Sequence, residues 1–290
     1  MKALVLLVLL VGTVLPCHAQ WRERRAALHE MHQAGEFRIF YALSGQDALP
    51  NVQDSNRNGV PDYVDRVAAE LATAREAYEN GMHLAHPLQS PRYRNQAQFI
   101  DVHLMSFPLT SNGPKHGIAY DELSSFDRPR DGGRKVRVLV MDISNALSPG
   151  NLTPRHELFH LYQNGYTFFK NRWFTEGTAR WAEQGVFKAG PLPTSSAEVQ
   201  SLFQKTYDTA PFWSALGSRV DSPNGAFIKA FLEELGRVDD RVSTGKWNEK
   251  QQMSPTNDVH IWQALRNTLE QPVFRRRWDA DVHLLMEVRL

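Results

Sequence analysis

His156-Glu157-Leu158-Phe159-His160, with Glu176 sixteen residues beyond the second histidine in Trp173-Phe174-Thr175-Glu176-Gly177-Thr178-Ala179, is the stretch on which the reading of this chain turns. On a helix, residues four apart stand one above the other on the same face, so the two imidazoles can close on a single metal ion from adjacent turns. Imidazole pairs in this arrangement suit zinc. Glu157 lies beside that face, placed to take a proton from a metal-bound water rather than to bind the metal.

The flanking residues predict that the segment is helical over 154–164. Thr153 is placed to cap the first turn, and Pro154 fits the first helical position, where no amide donor is needed. Asn164-Gly165 supplies a stop signal, and Leu158, Leu161 and Tyr162 form an apolar flank beside the histidines. A third histidine ligand would require Gly three residues and His six residues after His160, where the chain has Gln163 and Tyr166. The single cysteine, Cys17, falls in a segment expected to be removed. Glu176 is left as the third ligand, at the start of a second helical run in which Ala179, Trp181 and Ala182 can pack back and Gly177 permits close approach.

Taken together, His-Glu-x-x-His, a short loop and Trp-Phe-x-Glu-Gly-Thr-Ala-x-Trp-x-Glu resemble the gluzincin metallopeptidases, in particular secreted bacterial members with a Glu-Gly-Thr-Ala helix. The resemblance covers residues 153 to 184. It implies that His156, His160 and Glu176 bind zinc, that Glu157 is the catalytic base, and that peptide bonds are hydrolysed by a zinc-bound water. It also implies a small sheet over the metal helix whose edge strand receives an extended peptide, with a rim near 117–123. An oxyanion donor is expected as well; Tyr207 and Tyr166 are candidates by chain region alone, and the donor stays unassigned. Glu183, two turns beyond Glu176, is either an acceptor that orients a ligand histidine or a surface carboxylate.

Residues 1–19 read as a secretory signal, with Lys2, an apolar run from Ala3 to Leu15 and a small-residue cleavage site at Cys17-His18-Ala19. The run is short for a membrane span, so a secreted or periplasmic protein is expected. Without those residues the chain has 32 basic and 32 acidic side chains, a balance that points away from nucleic acid and anionic membranes. It also has no cysteine, which makes a bound ion the natural brace. Gln20 to Gly35, with Arg22, Arg24 and Arg25, is compatible with a short helix, and residues 20–36 read as a solvated N-terminal arm or a short pro-segment.

A second ion is expected in Asp54-Ser-Asn56-Arg-Asn58-Gly59-Val60-Pro-Asp62-Tyr-Val-Asp65. Oxygen side chains fall at positions one, three, five, nine and twelve, the Val60 carbonyl at seven, and Gly at the sharp turn. This is a calcium-loop pattern with Asp54, Asn56, Asn58, Val60, Asp62 and Asp65 as ligands. It resembles the loops of dockerin or thrombospondin type-3 repeats more than a paired EF-hand; an ion-free Asn/Asp/Gly turn is the plainer alternative.

The helix that follows presents Val64, Val67, Ala68, Leu71 and Tyr78 on one face. Strands are expected at Phe37–Leu43, which should open the sheet, at Phe99–Met105, and at Val136–Ile143, apolar enough to be covered on both faces. His83, His86, His103 and His116 are isolated and receive no role. Further on, Phe227, Ile228, Phe231, Leu232 and Leu235, ending at Gly236, and Val259, Trp262, Leu265 and Leu269 predict core-facing helices.

The expected fold is therefore α+β and zincin-like: an N-terminal lobe over 37–165 with a small mixed sheet, the loop 54–65 and the metal helix, then a mostly helical C-terminal lobe over 166–290 bearing the third ligand. Two rival functions remain at this level, a calcium-stabilised surface or binding protein with a structural zinc site, and a zinc hydrolase acting on a non-peptide substrate.

Overall fold

A six-stranded mixed sheet forms because three runs of the chain alternate two different kinds of buried side chain. A computed structural model describes residues 17–107, 109–110, 113–114, 116–126, 128, 131–132, 134–184, 187–221, 226–242 and 247–290; residues 1–16 of the expected signal lie outside these. Strands β1 (Glu30–Ala34), β2 (Phe37–Tyr41), β3 (Phe99–Met105), β6 (Gly117–Ala119), β7 (Ser124–Phe126) and β8 (Val136–Ser144) make the sheet, and β4 (Leu109–Thr110) and β5 (Gly113–Pro114) make a separate two-stranded ladder. The order is β1-β2-β3-β8-β6, with β7 also paired to β8. Strands β2, β3 and β8 are parallel neighbours, while β1, β6 and β7 run antiparallel to theirs.

Phe37, Ile39, Tyr41, Ile100, Val102, Leu104, Leu139, Met141 and Ile143 point to one face and join the main core. That face is covered by α2 (Asp62–Glu76) and α3 (Thr153–Tyr166), whose Val64, Val67, Leu71, Leu158 and Leu161 belong to the same cluster. Alternate residues face the other way and are also buried, as expected for the near-continuous apolar run of β8. This second face carries charge: Arg38 pairs with Asp101 across β2 and β3, and Asp142 on β8 accepts from Arg25 and from His103 of β3.

Arg25 comes from α1 (Cys17–Ala26), a helix in the stretch where a short one was expected, but the arm over 20–36 is not solvated. Arg25 and Leu28 are buried, and β1 pairs along its whole length with β2. A buried Asp142 needs a cation, and the arm supplies it. The sheet therefore opens at Glu30, before Phe37.

Beyond α3 come α4 (Arg172–Gln184), α5 (Ser196–Phe203), α6 (Ala210–Val220), α7 (Phe227–Val242), α8 (Glu249–Gln252), α9 (Asn257–Leu269), α10 (Pro272–Arg275) and α11 (Ala280–Glu287). One cluster of buried side chains runs from Phe37 to Val288, so the strand-rich and helical parts share a core. Four local expectations need correcting. Leu152, not Thr153, stands at the N-cap of α3, and Asn151 Oδ1 accepts from the Thr153 amide. Gly165 does not end that helix; a Cβ there would lie 2.6 Å from Ser90, so its smallness serves packing. Gly236 likewise sits inside α7, where a Cβ would come within 2.9 Å of the Tyr166 carbonyl oxygen. Val259 is 52% exposed and lies off the apolar stripe of α9.

Candidate metal centre

The first turns of α3 are fixed by Pro154 and by burial on nearly every side, which leaves the histidine face turned toward α4. Helix α4 crosses α3 with Trp173, Phe174, Ala179 and Ala182 buried, and this brings Glu176 over the two imidazoles. His156, His160 and Glu176 form a group able to hold a metal ion, the sole such set of histidine, cysteine or acidic side chains among the described residues. Nε2 of His156 lies 3.1 Å from Nε2 of His160 and 3.2 Å from Glu176 Oε2, and the third edge of the triangle, His160 Nε2 to Glu176 Oε2, is 3.6 Å.

The opposite ring nitrogens show which atoms are free to bind. His156 Nδ1 is 2.7 Å from Glu183 Oε2, and His160 Nδ1 is 2.7 Å from Gln163 Oε1. Both partners are acceptors, so each Nδ1 carries its hydrogen and each Nε2 lone pair faces inward. Two lone pairs and a carboxylate oxygen at this spacing repel one another unless a cation lies among them. In the metal-free protein that cation is a proton. Burial opposes charge on His156, but hydrogen bonds to Glu176 and Glu183 and the charge of Glu157 raise its pKa to about 10. Burial also favours the neutral form of Glu176, and bonding to His156 and His160 outweighs it, holding the carboxyl well below the usual range.

Glu183 is thus buried against His156 rather than lying on the surface. Gln163 is its counterpart on His160 and went unnoticed in the sequence, where it registered only as the absence of a glycine. Its Nε2 donates to the Thr175 carbonyl and to Thr178 Oγ1 on α4, at 2.9 and 2.6 Å, so the amide cannot turn over without losing both bonds. Its place three residues after His160 was the available signal.

Glu157 is buried beneath β6, where burial pushes its carboxyl up and the imidazoles of His160 and His156 partly offset this. Gly117 makes that approach feasible, since a Cβ there would lie 2.6 Å from Glu157 Cγ and 2.7 Å from Thr153 Cγ2. Within the rim expected near 117–123, Gly117–Ala119 form β6, at one end of the strand order and antiparallel to β8. Tyr207 arrives from the other side. The turn Tyr207–Thr209 docks on α4 at Gly177, where a Cβ would lie 1.8 Å from Thr209 Oγ1, and Thr209 Oγ1 donates to the Trp173 carbonyl at 2.6 Å. The Tyr207 ring stands 5.7 Å from that of His156, and burial together with the nearby Glu176 carboxylate raises the pKa of its hydroxyl. Tyr166, the other candidate donor, is elsewhere, accepting from the Ala85 amide.

His156, Glu157, Glu183 and Tyr207 border an open cleft of about 530 Å³, lined also by His116, Gly117, Thr153 and Arg180. His116, set aside in the sequence, is therefore beside the site. His103 is not: it is fully buried on the far face of the sheet. His86 bonds to Glu36.

The calcium-type loop is exposed and tightly hydrogen bonded. Asp54 accepts from the Asn58 and Gly59 amides, and Gly59, at φ +86°, makes the sharp turn. Asn56 and Asn58 both donate to Asp65 Oδ2, at 3.0 and 2.9 Å, while Asp62 turns aside to accept from Ser55. The carboxylates of Asp54, Asp62 and Asp65 do not meet as a set. No described helix is long and apolar enough to cross a membrane. A scan of protein-family models finds no match to the chain, and a comparison with curated proteins finds none.

Proposed function

We propose that this chain is an exported zinc metallopeptidase with a zincin-like fold, in which His156, His160 and Glu176 hold zinc. The observation that carries the reading is the triangle of inward-facing ligand atoms. Zinc bonds of about 2.0–2.1 Å at tetrahedral angles hold ligand atoms about 3.3–3.4 Å apart, and the three edges, 3.1, 3.2 and 3.6 Å, bracket that spacing. Three protein ligands, with the His156 end of the group bordering an open cleft, also match a catalytic site better than a structural one, which four ligands usually close.

Zinc bound there would supply a Lewis acid and make water nucleophilic near neutral pH. Glu183 and Gln163 hold the two imidazoles in the tautomer that exposes Nε2. Glu157, a carboxylate outside the ligand triangle that, unlike Glu183, is not bonded to a ligand histidine, accepts a proton from the attacking water and passes it to the leaving amine. Tyr207 is the donor we assign to the developing oxyanion, because its ring stands beside His156 and lines the cleft. We assign the loop 54–65 to a structural calcium ion, held by Asp54, Asn56, Asn58, the Val60 carbonyl, Asp62 and Asp65. Binding there requires the Asn56 and Asn58 amides to turn over and Asp62 to leave Ser55.

The peptidase reading is tested by metal analysis of the purified chain and a peptide-mixture cleavage assay. Glu157→Gln is expected to keep zinc and lose cleavage, and His160→Ala to lose both. Cleavage by Glu157→Gln at the wild-type rate would remove Glu157 from the mechanism.

A further inference from the structure

Arg180 stands one turn beyond Glu176 on α4 and so leaves the helix on the same side as that carboxylate. Its Nη1 donates to Glu183 Oε1, while Glu183 Oε2 is taken up by His156 Nδ1. The carboxylate that orients a metal-ligand histidine therefore also grips one prong of the guanidinium. Glu183 is 3% exposed, yet 45% of the Arg180 side chain remains in solvent. The charge is thus held at the edge of the site without being enclosed.

That exposed portion borders two spaces. One is the cleft that His156, Glu157 and Glu183 line. The other, of about 570 Å³, adjoins it across Arg180 and Tyr207 and continues past Phe187, Asp208 and Pro211. Among the described residues lining the two, Arg180 alone carries a fixed positive charge. Guanidinium presents its donors in a planar fork suited to two-pronged bonding of a carboxylate, and Glu183 occupies one prong.

Resting on the peptidase reading above, we infer that Arg180 is a specificity residue that recognises a carboxylate on the substrate, beside the bond to be cut. Because the space runs on beyond Arg180 rather than closing there, the expected source is an Asp or Glu side chain within an extended peptide. A free C-terminal carboxylate has the same chemistry, and the experiment separates the two.

Three fluorescent decapeptide pools serve as probes: one amidated with a central Glu, one amidated with a central Gln, and the Gln pool with a free C-terminal carboxylate. Their binding to the zinc-loaded full chain carrying Glu157→Gln is read by anisotropy, with metal content measured on the same samples. The Glu pool is expected to bind about tenfold tighter than the amidated Gln pool, the size of one charge-assisted contact. Adding Arg180→Gln should bring the ratio near one, and Arg180→Lys should restore part of it. An arginine that merely positions Glu183 would weaken all pools alike and leave the ratio unchanged. Preference for the free-carboxylate pool instead assigns Arg180 to a chain terminus. Equal binding of the three pools, or a ratio that survives Arg180→Gln, overturns the inference. A ratio that behaves as expected while the wild-type chain cleaves no pool would leave carboxylate recognition standing and remove the peptidase reading.

Discussion

Both nitrogens of His156 are engaged, one by Glu183 and one by the ligand triangle, and the same is true of His160 with Gln163. A ligand whose far nitrogen is held this way binds metal more tightly because its tautomer and ring angle are set in advance. Gln163→Ala frees the His160 ring, and zinc affinity measured by competition with a chelator is expected to fall about 10- to 100-fold. Unchanged affinity would reduce Gln163 to packing between α3 and α4. Proton linkage gives a second prediction at this scale. His156 is raised to about 10, so the His156–Glu176 pair stabilises the metal-free fold fully below the unfolded histidine value of about 6.5 and is lost as pH rises through 10. Zinc needs the Nε2 lone pair and must displace that proton. Its affinity should therefore rise about tenfold per pH unit between 6 and 8, with about one proton released. Calorimetry in buffers of differing ionisation enthalpy reads both quantities, and a pH-independent affinity would contradict the protonated state.

At the scale of elements, the site depends on α4 crossing α3 and on two glycines that let neighbours come closer than any side chain allows. Gly117 admits Glu157 beneath β6, and Gly177 admits the turn that carries Tyr207. The helix of the His-Glu-x-x-His motif was legible in advance because its apolar flank, Pro154 and the histidine spacing are all local. Gly165 and Gly236 were misread as stops because a glycine at a helix end and one at a helix crossing are alike in sequence, and only the Ser90 and Tyr166 atoms opposite them tell the two apart. The loop 54–65 is likewise local, and it leads directly into α2. Calcium there would fix the first turn of that helix, so adding calcium should raise the melting temperature and Asp54→Ala should abolish the rise. A melting temperature indifferent to calcium would leave an Asx-rich turn.

Across the whole molecule, the sheet separates two kinds of burial. Its apolar face meets α2 and α3 and supports the helix that bears His156 and His160, whereas the opposite face holds Arg38–Asp101 and Arg25–Asp142–His103 with their side chains almost fully buried. Burial disfavours the Asp142 anion, and hydrogen bonds from His103 and Arg25 more than compensate, holding its pKa below the ordinary value. Removing one partner of such a pair strands the other charge. Arg25→Gln is expected to cost about 3–5 kcal/mol in denaturant unfolding, and to expose residues near Leu28 to limited proteolysis. A loss below about 1 kcal/mol would put α1 back among surface arms. Segment 20–36 looked detachable because Arg22, Arg24 and Arg25 read as solvated charge, and nothing near them in sequence reveals Asp47 or Asp142.

What the chain declared by itself was whatever depends on near neighbours: the histidine pair four residues apart, the apolar stripe of α2, the branched run of β8, the oxygen-rich turn before α2. Periodicity and spacing are properties of a few consecutive residues, so they survive without a fold. Tertiary structure alone decided that Glu183 turns inward to His156 rather than out to solvent, that Gln163 orients His160, that Tyr207 rather than Tyr166 reaches the cleft, and that Arg180 stands at its border. Those relations arise where helices cross and turns dock, at distances set by the size of side chains far apart in sequence, and no local pattern encodes them.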